Sequence, residues 1–263
     1  MNIGDKGICR LSVVPMRSKG EDISEMISQL LFGDHYEIIA LSDNGNWLKI
    51  RTNFDDYEGW IDSKQHTPIT EGYFDQINNS DYKISLDLMS GILHNRHHIS
   101  VLLGSVLPIA TNELFKMEEQ LAFNGESKSL SEKRDFEFVK TVALKYLNAP
   151  YLWGGKTPFG IDCSGFVQQV YRICGYKLNR DTSLQVKQGI EIEELKDARP
   201  GDLAFFSNQK GKVSHVGIIF PEGSIIHASG KVRIDKLNEA GIYNEELRTH
   251  THKLNSLRRI LNQ

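Results

Sequence analysis

Apolar and polar positions alternate with a period of two in short runs through the first sixty-odd residues, and polar turn residues separate the runs. The pattern predicts strands over residues 7–14, 36–41, 47–51 and 59–62, with Asp43-Asn44-Gly45-Asn46 as a hairpin turn between the second and third. Residues 15–34 read as a long connection holding Ser24-Glu25-Met26-Ile27 and Gln29-Leu30-Leu31-Phe32-Gly33. A second β-like stretch covers residues 70–125, with residues 99–105 as its clearest strand, and the polar run 125–133 closes it.

The period then changes. Phe136, Val139, Val142, Ala143 and Tyr146 fall at helical spacing and predict a helix within residues 132–147, stopped by Asn148-Ala149-Pro150. A loop rich in Gly, Pro and aromatic residues covers 151–161. Phe166, Val167, Val170 and Tyr171 give a second helix one apolar side over residues 163–174, and Gly175 stands where a helix commonly ends. Strands are expected at 203–206, 213–220 and 224–228. The chain therefore divides into a small β-barrel at 1–66, a second β region at 67–126 and an α+β region at 127–263.

Of 263 residues, 40% are hydrophobic and 25% charged, which is the make-up of a globular chain with room for more than one core. The net charge of −3 supplies no basic surplus to neutralise phosphates, so nucleic acid is not an expected partner. No stretch has the length and apolarity of a membrane span, and no apolar run of export-signal length follows Met1-Asn2-Ile3. The expectation is a cytoplasmic protein as numbered, or one of the cell envelope if an export signal preceded the numbering. The cysteines, Cys9, Cys163 and Cys174, form no Cys-x-x-Cys pair, so neither a disulfide framework nor a zinc ribbon is expected.

Cys163 is the cysteine with chemistry around it. Asp162 stands at the predicted N-cap of its helix, which puts the thiol in the first turn, where exposed N–H groups and the helix dipole favour a thiolate. That field contributes only about 0.3–1 kcal/mol at an exposed site, so an imidazolium partner is expected as well. Residues 213–220 and 224–228 flank Pro221-Glu222-Gly223, and a hairpin folded there sets His215 and His227 opposite or diagonal to one another. His227 would orient the His215 ring, and His215 would take the thiol proton. Cys9 and Cys174 read as buried small hydrophobes.

Four ordered motifs, YLWGG…DCSGF, RPGDLAFF, VSHVGII and IIHASG, cover residues 151–230, and their sequence resembles the NlpC/p60 family of papain-like bacterial cell-wall cysteine peptidases. The resemblance implies Cys163 as nucleophile, His215 as general base, His227 as the orienting third residue, and the Tyr151 hydroxyl beside the developing oxyanion. It implies no metal and no organic cofactor. Asp202 reads mainly as a turn residue. The two N-terminal β regions resemble bacterial SH3-like domains, so the expected architecture is two small SH3-like β-barrels followed by an α+β papain-like catalytic domain.

Within that family, SEMISQLLFGD and Tyr57-Glu58-Gly59-Trp60 are similar to the subgroup that cleaves the γ-D-glutamyl link to a diamino acid in murein stem peptides. By resemblance the partners are such peptides with a free N-terminal L-Ala, whose amine is read by Glu25, Tyr57, Asp162 and Ser164, with Trp153 as a cleft wall. A monomer is the expected state. Rival readings are an endopeptidase, amidase or acyltransferase of the same fold, and a peptidoglycan-binding module with an inert peptidase domain. The third-position diamino acid, lysine or diaminopimelate, stays open.

Overall fold

The computed structural model describes residues 1–110 and 121–261. They form two compact units, Met1–Glu132 and Lys133–Gln263. In the first, β1 (Lys6–Ile8), β2 (Val13–Arg17), β3 (Met26–Leu31), β4 (His35–Leu41), β5 (Trp47–Thr52), β6 (Glu58–Asp62) and β7 (Thr67–Ile69) make one antiparallel sheet in the order β3-β2-β6-β5-β4-β1-β7. Alternate residues Val14, Met16, Tyr36, Ile38, Leu48, Ile50 and Ile61 point into one core, which is the inward half of the period-two pattern. The β4–β5 turn is the expected one, with Gly45 at φ 69° and Asn44 Oδ1 accepting from Ser42 Oγ and Asn46 N–H.

The long connection between the first two expected strands is not a loop. It contains β3, whose four consecutive buried residues Ser28, Gln29, Leu30 and Leu31 conceal any alternation. The second β-like stretch begins with a helix, α1 (Glu71–Asn79), capped by Thr70 Oγ1 accepting from Tyr73 N–H at 3.2 Å. After it come β8 (Tyr82–Ser85), β9 (Met89–His94), β10 (His97–Leu102), β11 (Val106–Ala110), β12 (Leu121–Asn124) and β13 (Ser127–Ser129). They pair as two three-stranded sheets, β10-β9-β12 and β11-β8-β13. Residues 111–120 of this stretch lie outside the described residues.

The two β regions share their interior. Phe32 packs with Ile92, Val101 and Leu107, Ile8 packs with Ile77, Tyr82 and Val106, and Val106 N–H donates to Phe32 O at 2.9 Å. The polar run expected to separate the domains contains β13, paired to β8, so the first unit closes after Glu132 rather than after residue 126.

In the second unit, α2 (Phe136–Lys145) and α3 (Cys163–Ile173) pack together, with a short hairpin, β14 (Lys156–Thr157) and β15 (Gly160–Ile161), between them in sequence. After α4 (Thr182–Gln185) come β16 (Ile190–Ile192), β17 (Leu203–Ser207), β18 (Val213–Phe220), β19 (Ser224–Ser229), β20 (Lys231–Asn238), β21 (Gly241–Asn244) and β22 (Thr249–Arg259). Their order is β16-β22-β17-β18-β19-β20-β21, and β22 also pairs with β21, so six of the seven strands close on themselves. Ala204, Phe206, Ile219, Ile225, Leu237, Ile242 and Leu257 fill one face. The last three strands escape the periodicity reading because β22 is a run of polar residues and β20 breaks its alternation at Ile234, which is 42% exposed.

Candidate active site

Helix α3 begins where the sequence places it because Asp162 caps it. Its backbone is extended (φ −93°, ψ 175°), and its Oδ1 accepts from Gly165 N–H at 2.7 Å. The loop before the helix lies directly against its first turn: a Cβ at Gly165 would stand 2.4 Å from Gly155 O, which only glycine allows. The Cys163 side chain is thereby set at the first turn of a helix whose residues are all buried.

The Asp162 carboxylate is saturated. Oδ1 also accepts from Arg180 at 2.9 Å, and Oδ2 accepts from Gly154 N–H at 2.9 Å and from Arg180 at 2.5 Å. Arg180 is 2% exposed and donates as well to Ser164 Oγ at 2.8 Å. Fork-shaped pairing of this kind compensates both desolvated charges. Gln185 Nε2 donates to Ser164 O at 3.0 Å and to Asn179 O at 2.8 Å, which ties the loop carrying Arg180 to α3.

Two influences on the Cys163 thiol oppose each other, and burial wins. Burial, then Asp162 beside it, pushes the thiol up to about 11 against hydrogen bonding from Thr182 and Val216 N–H and the nearby Arg180 charge. Thr182 Oγ1 lies 4.0 Å from Sγ. Burial thus works against the thiolate that the helix dipole and an imidazolium would favour. The Val216 contact places β18 against the thiol one residue beyond His215.

His215 and His227 come together as the hairpin reading requires. Gly217 pairs directly with His227, which makes His215 the diagonal neighbour on the same face, and His215 Nε2 lies 2.9 Å from His227 Nδ1. Gly217 makes room for this contact: a Cβ there would stand 2.9 Å from His227 Cβ and 2.8 Å from Ile225 Cδ1. Burial, then the neighbouring His227 and His252, holds His215 well below the usual imidazole range, so it is a neutral base. Burial thus favours the uncharged form of both the Cys163 thiol and the His215 imidazole, whose Nε2 is the nitrogen turned to His227.

Tyr151 and Trp153 lie on the loop before β14. Burial, then the nearness of Cys163 and Asp162, raises the Tyr151 hydroxyl to about 12, so it is a hydrogen-bond donor near the sulfur. Trp153 is 58% exposed. Asp202 holds a turn, accepting from Arg199 N–H at 2.6 Å and from Arg259 at 2.7 and 2.9 Å. Cys9 and Cys174 are buried and belong to no disulfide. Among the described residues no cluster of three or more His, Cys, Asp or Glu could hold a metal ion.

Glu25 and Tyr57 belong to the first unit. Glu25 is exposed immediately before β3, with its carbonyl accepting from Ser18 N–H at 2.9 Å, and Tyr57 packs half-buried against the sheet core.

Sequence reasoning missed three neighbours of the histidines. His252 on β22 stacks on His215 with ring centroids 4.1 Å apart and planes at 27°. Asp235 on β20 accepts from His227 Nε2 at 3.0 Å, and Arg233 binds that carboxylate. The period-two placement of Arg233 and Asp235 beside His227 was a readable signal once β20 is recognised, whereas nothing local marks His252.

The sequence profile described as the NlpC/P60 family matches residues 148–251, the span that carries every one of these unit-two groups except His252 and Arg259. The second unit is an NlpC/P60 domain. A second profile, the bacterial dipeptidyl-peptidase SH3 domain, matches residues 16–65 of the first unit. The chain is 28% identical over 246 residues to a γ-D-glutamyl-L-lysine dipeptidyl-peptidase of Bacillus subtilis, spanning 84% of this chain and 78% of that one. It is 29% identical to dipeptidyl-peptidase 6 of Lysinibacillus sphaericus, spanning 89% of this chain and 93% of that one. In fold it matches the crystal structure of an NlpC/P60 family protein from Bacillus cereus, with a TM-score of 0.82 at 19% identity over 97% of this chain and 99% of that one. The second unit is thus a domain of the NlpC/P60 peptidase family, consistent with a cysteine-type hydrolase, and an SH3-like domain stands before it.

Proposed function

We propose that this NlpC/P60 peptidase hydrolyses the γ-D-glutamyl bond to the diamino acid of free murein stem peptides, releasing L-Ala-γ-D-Glu during recycling of cell-wall peptides. The observation that supports it most is the buried Cys163 at the helix terminus with the His215–His227 pair on the strand beside it, in a chain similar over most of its length to dipeptidyl-peptidases.

The reaction runs from the neutral pair. His215 Nδ1 takes the Cys163 proton as sulfur attacks the γ-carbonyl carbon, and the tetrahedral oxyanion faces the first-turn N–H groups of α3 and the Tyr151 hydroxyl. The imidazolium so formed protonates the leaving amine of the diamino acid. Water, deprotonated by His215, then releases L-Ala-γ-D-Glu from the thioester. Starting neutral keeps charge out of the buried site until substrate arrives to offset it.

Recognition of the free L-Ala amine falls, in this proposal, to Glu25, Tyr57, Asp162 and Ser164, with Trp153 as a wall. Asp162 already balances Arg180. The deciding experiment is mass spectrometry of the products from free and N-acetylated L-Ala-γ-D-Glu-L-Lys and from the diaminopimelate analogue. Release of L-Ala-γ-D-Glu from the free peptides, lost on acetylation and in Cys163→Ala, is expected. Equal cleavage of the blocked peptide would replace this reading with an endopeptidase, and no cleavage of any of them would favour a binding module.

A further inference from the structure

A histidine in the third position of a catalytic relay is chemically ambivalent. The side-chain oxygen of an asparagine or aspartate there can only accept from the base imidazole, so it dictates which nitrogen of that ring is protonated. A neutral histidine can donate or accept at Nδ1, depending on its own tautomer. If His227 carried its proton on Nδ1 it would donate to His215 Nε2, His215 would hold its proton on Nδ1, and no lone pair would remain for the thiol. Something else must therefore fix His227.

The fixing group is one strand further on. His227 pairs directly with Arg233, which makes Asp235 its diagonal neighbour on the same face of β20, just as His215 is on β18. Asp235 is 7% exposed, its Oδ2 lies 3.0 Å from His227 Nε2, and Arg233 binds both oxygens, with Nε at 2.8 Å from Oδ2 and an NH2 group at 3.0 Å from Oδ1. Burial alone would raise this carboxyl, but hydrogen bonds from His227 and Arg233 outweigh it and hold the group below the usual carboxylate range. An ionised carboxylate only accepts, so His227 Nε2 carries a proton. In the neutral ring Nδ1 is then bare and accepts from His215 Nε2–H across 2.9 Å, which leaves His215 Nδ1 bare.

We infer that Asp235 is a positioning residue that sets the tautomers of both imidazoles, transmitted by two hydrogen bonds across three adjacent strands and anchored by Arg233. It touches no reacting atom. The inference rests on the reading of Cys163 as nucleophile and His215 as base.

The test separates the two. In ¹⁵N-histidine-labelled Cys163→Ala protein, which needs no turnover, nitrogen chemical shifts near pH 7.5 should show His215 and His227 both protonated at Nε2. Adding Asp235→Asn, whose amide can donate as well as accept, should shift population to the Nδ1–H forms, and Asp235→Glu should restore the parent pattern. In the Cys163 protein, Asp235→Asn should lower kcat by about 10²–10⁴-fold with KM changed by no more than about twofold. A parent spectrum with His215 protonated at Nδ1 overturns the inference even if the variants fail to fold. So does a folded Asp235→Asn protein with unchanged tautomers and kcat within about twofold. Turnover by Cys163→Ala would instead sink the nucleophile assignment and leave the tautomer measurement standing on its own.

Discussion

Replacing Arg180 by methionine isolates what the buried Arg180–Asp162 pair contributes. The substitution keeps most of the side-chain volume and removes three donated hydrogen bonds: two to the Asp162 oxygens at 2.9 and 2.5 Å, and one to Ser164 Oγ at 2.8 Å. Asp162 stays 95% buried, with Gly154 N–H, Gly165 N–H and Ser164 Oγ as its remaining donors but with no positive charge. Breaking a buried ion pair from one side costs about 3–5 kcal/mol, because the other charge stays desolvated. The surviving donors favour the low end, about 3 kcal/mol, equivalent to about a hundredfold in an opening equilibrium. Arg180→Lys retains the charge and loses the fork, so it should cost about 1–2 kcal/mol, roughly the net value of the hydrogen bonds it cannot reproduce.

Native-state hydrogen exchange of the peptides spanning α3 is the appropriate assay, since it reports the second unit without assuming that the two units unfold together. Exchange there should quicken about a hundredfold in Arg180→Met and about tenfold in Arg180→Lys. A methionine variant within about 1 kcal/mol of the parent, or one equal to the lysine variant, would refute the argument that charge compensation dominates this cluster. Because Asp162 caps α3, on which the proposed nucleophile Cys163 stands, the methionine variant should also lose kcat.

Gly217→Ala forces its new Cβ to within 2.9 Å of His227 Cβ on a paired strand, so the His215–His227 bond should open and kcat fall at least tenfold, with a small loss of melting temperature; unchanged kcat would show that the ring pair tolerates displacement. The acid limb of kcat/KM should lie below pH 6.5, because His215 titrates well below the ordinary imidazole value and stays a base until then; a limb at pH 7 or above would contradict the neutral pair. Stability has the same sign. His215 and His252, the latter held to about 4 by burial first and by His227 second, bind protons more weakly folded than unfolded. Their contribution is complete above pH 6.5 and is lost as pH falls below it, so melting of the second unit should drop from pH 7 to pH 5, where His252→Asn should flatten the decline.

The legible parts of the fold are those in which apolar residues follow a regular period or run together beside a turn. β4, β5, β6 and α2 bury one face, α3, β18 and β19 are buried over most of their length, and each was expected within a few residues of where it stands. β3 was hidden because Ser28 and Gln29 are buried polar residues interrupting the apolar face. α1 was hidden because only Ile77 of its nine residues is buried, too few for a stripe. Gly33 lies against the Val106 carbonyl, where a Cβ would stand 1.9 Å from its oxygen, a long-range contact that joins the two β regions and has no local signature.

In the site, a local rule and a pairing rule were enough for Cys163, Asp162, His215 and His227: a cap motif at a helix start and a short turn between two strands. What the sequence withholds is burial, which opposes the helix dipole and the imidazole. The dipole contributes about 0.3–1 kcal/mol at an exposed site, whereas moving the thiol up to about 11 from its usual 9 corresponds to roughly twice 1.4 kcal/mol in the opposite direction. Burial is a property of the finished packing, set here by the loop at Gly155 pressed on Gly165 and by the strand at Val216, and neither contact is visible at Asp162-Cys163-Ser164. The same holds for Asp235. A carboxylate eight residues past His227 has meaning only when β20 turns back beside β19 in the register that sets Arg233 opposite the histidine. Where the third member of a relay is itself a histidine, the residue to look for next is the acceptor two positions along the neighbouring strand, because an imidazole cannot fix the tautomer of another until its own is fixed.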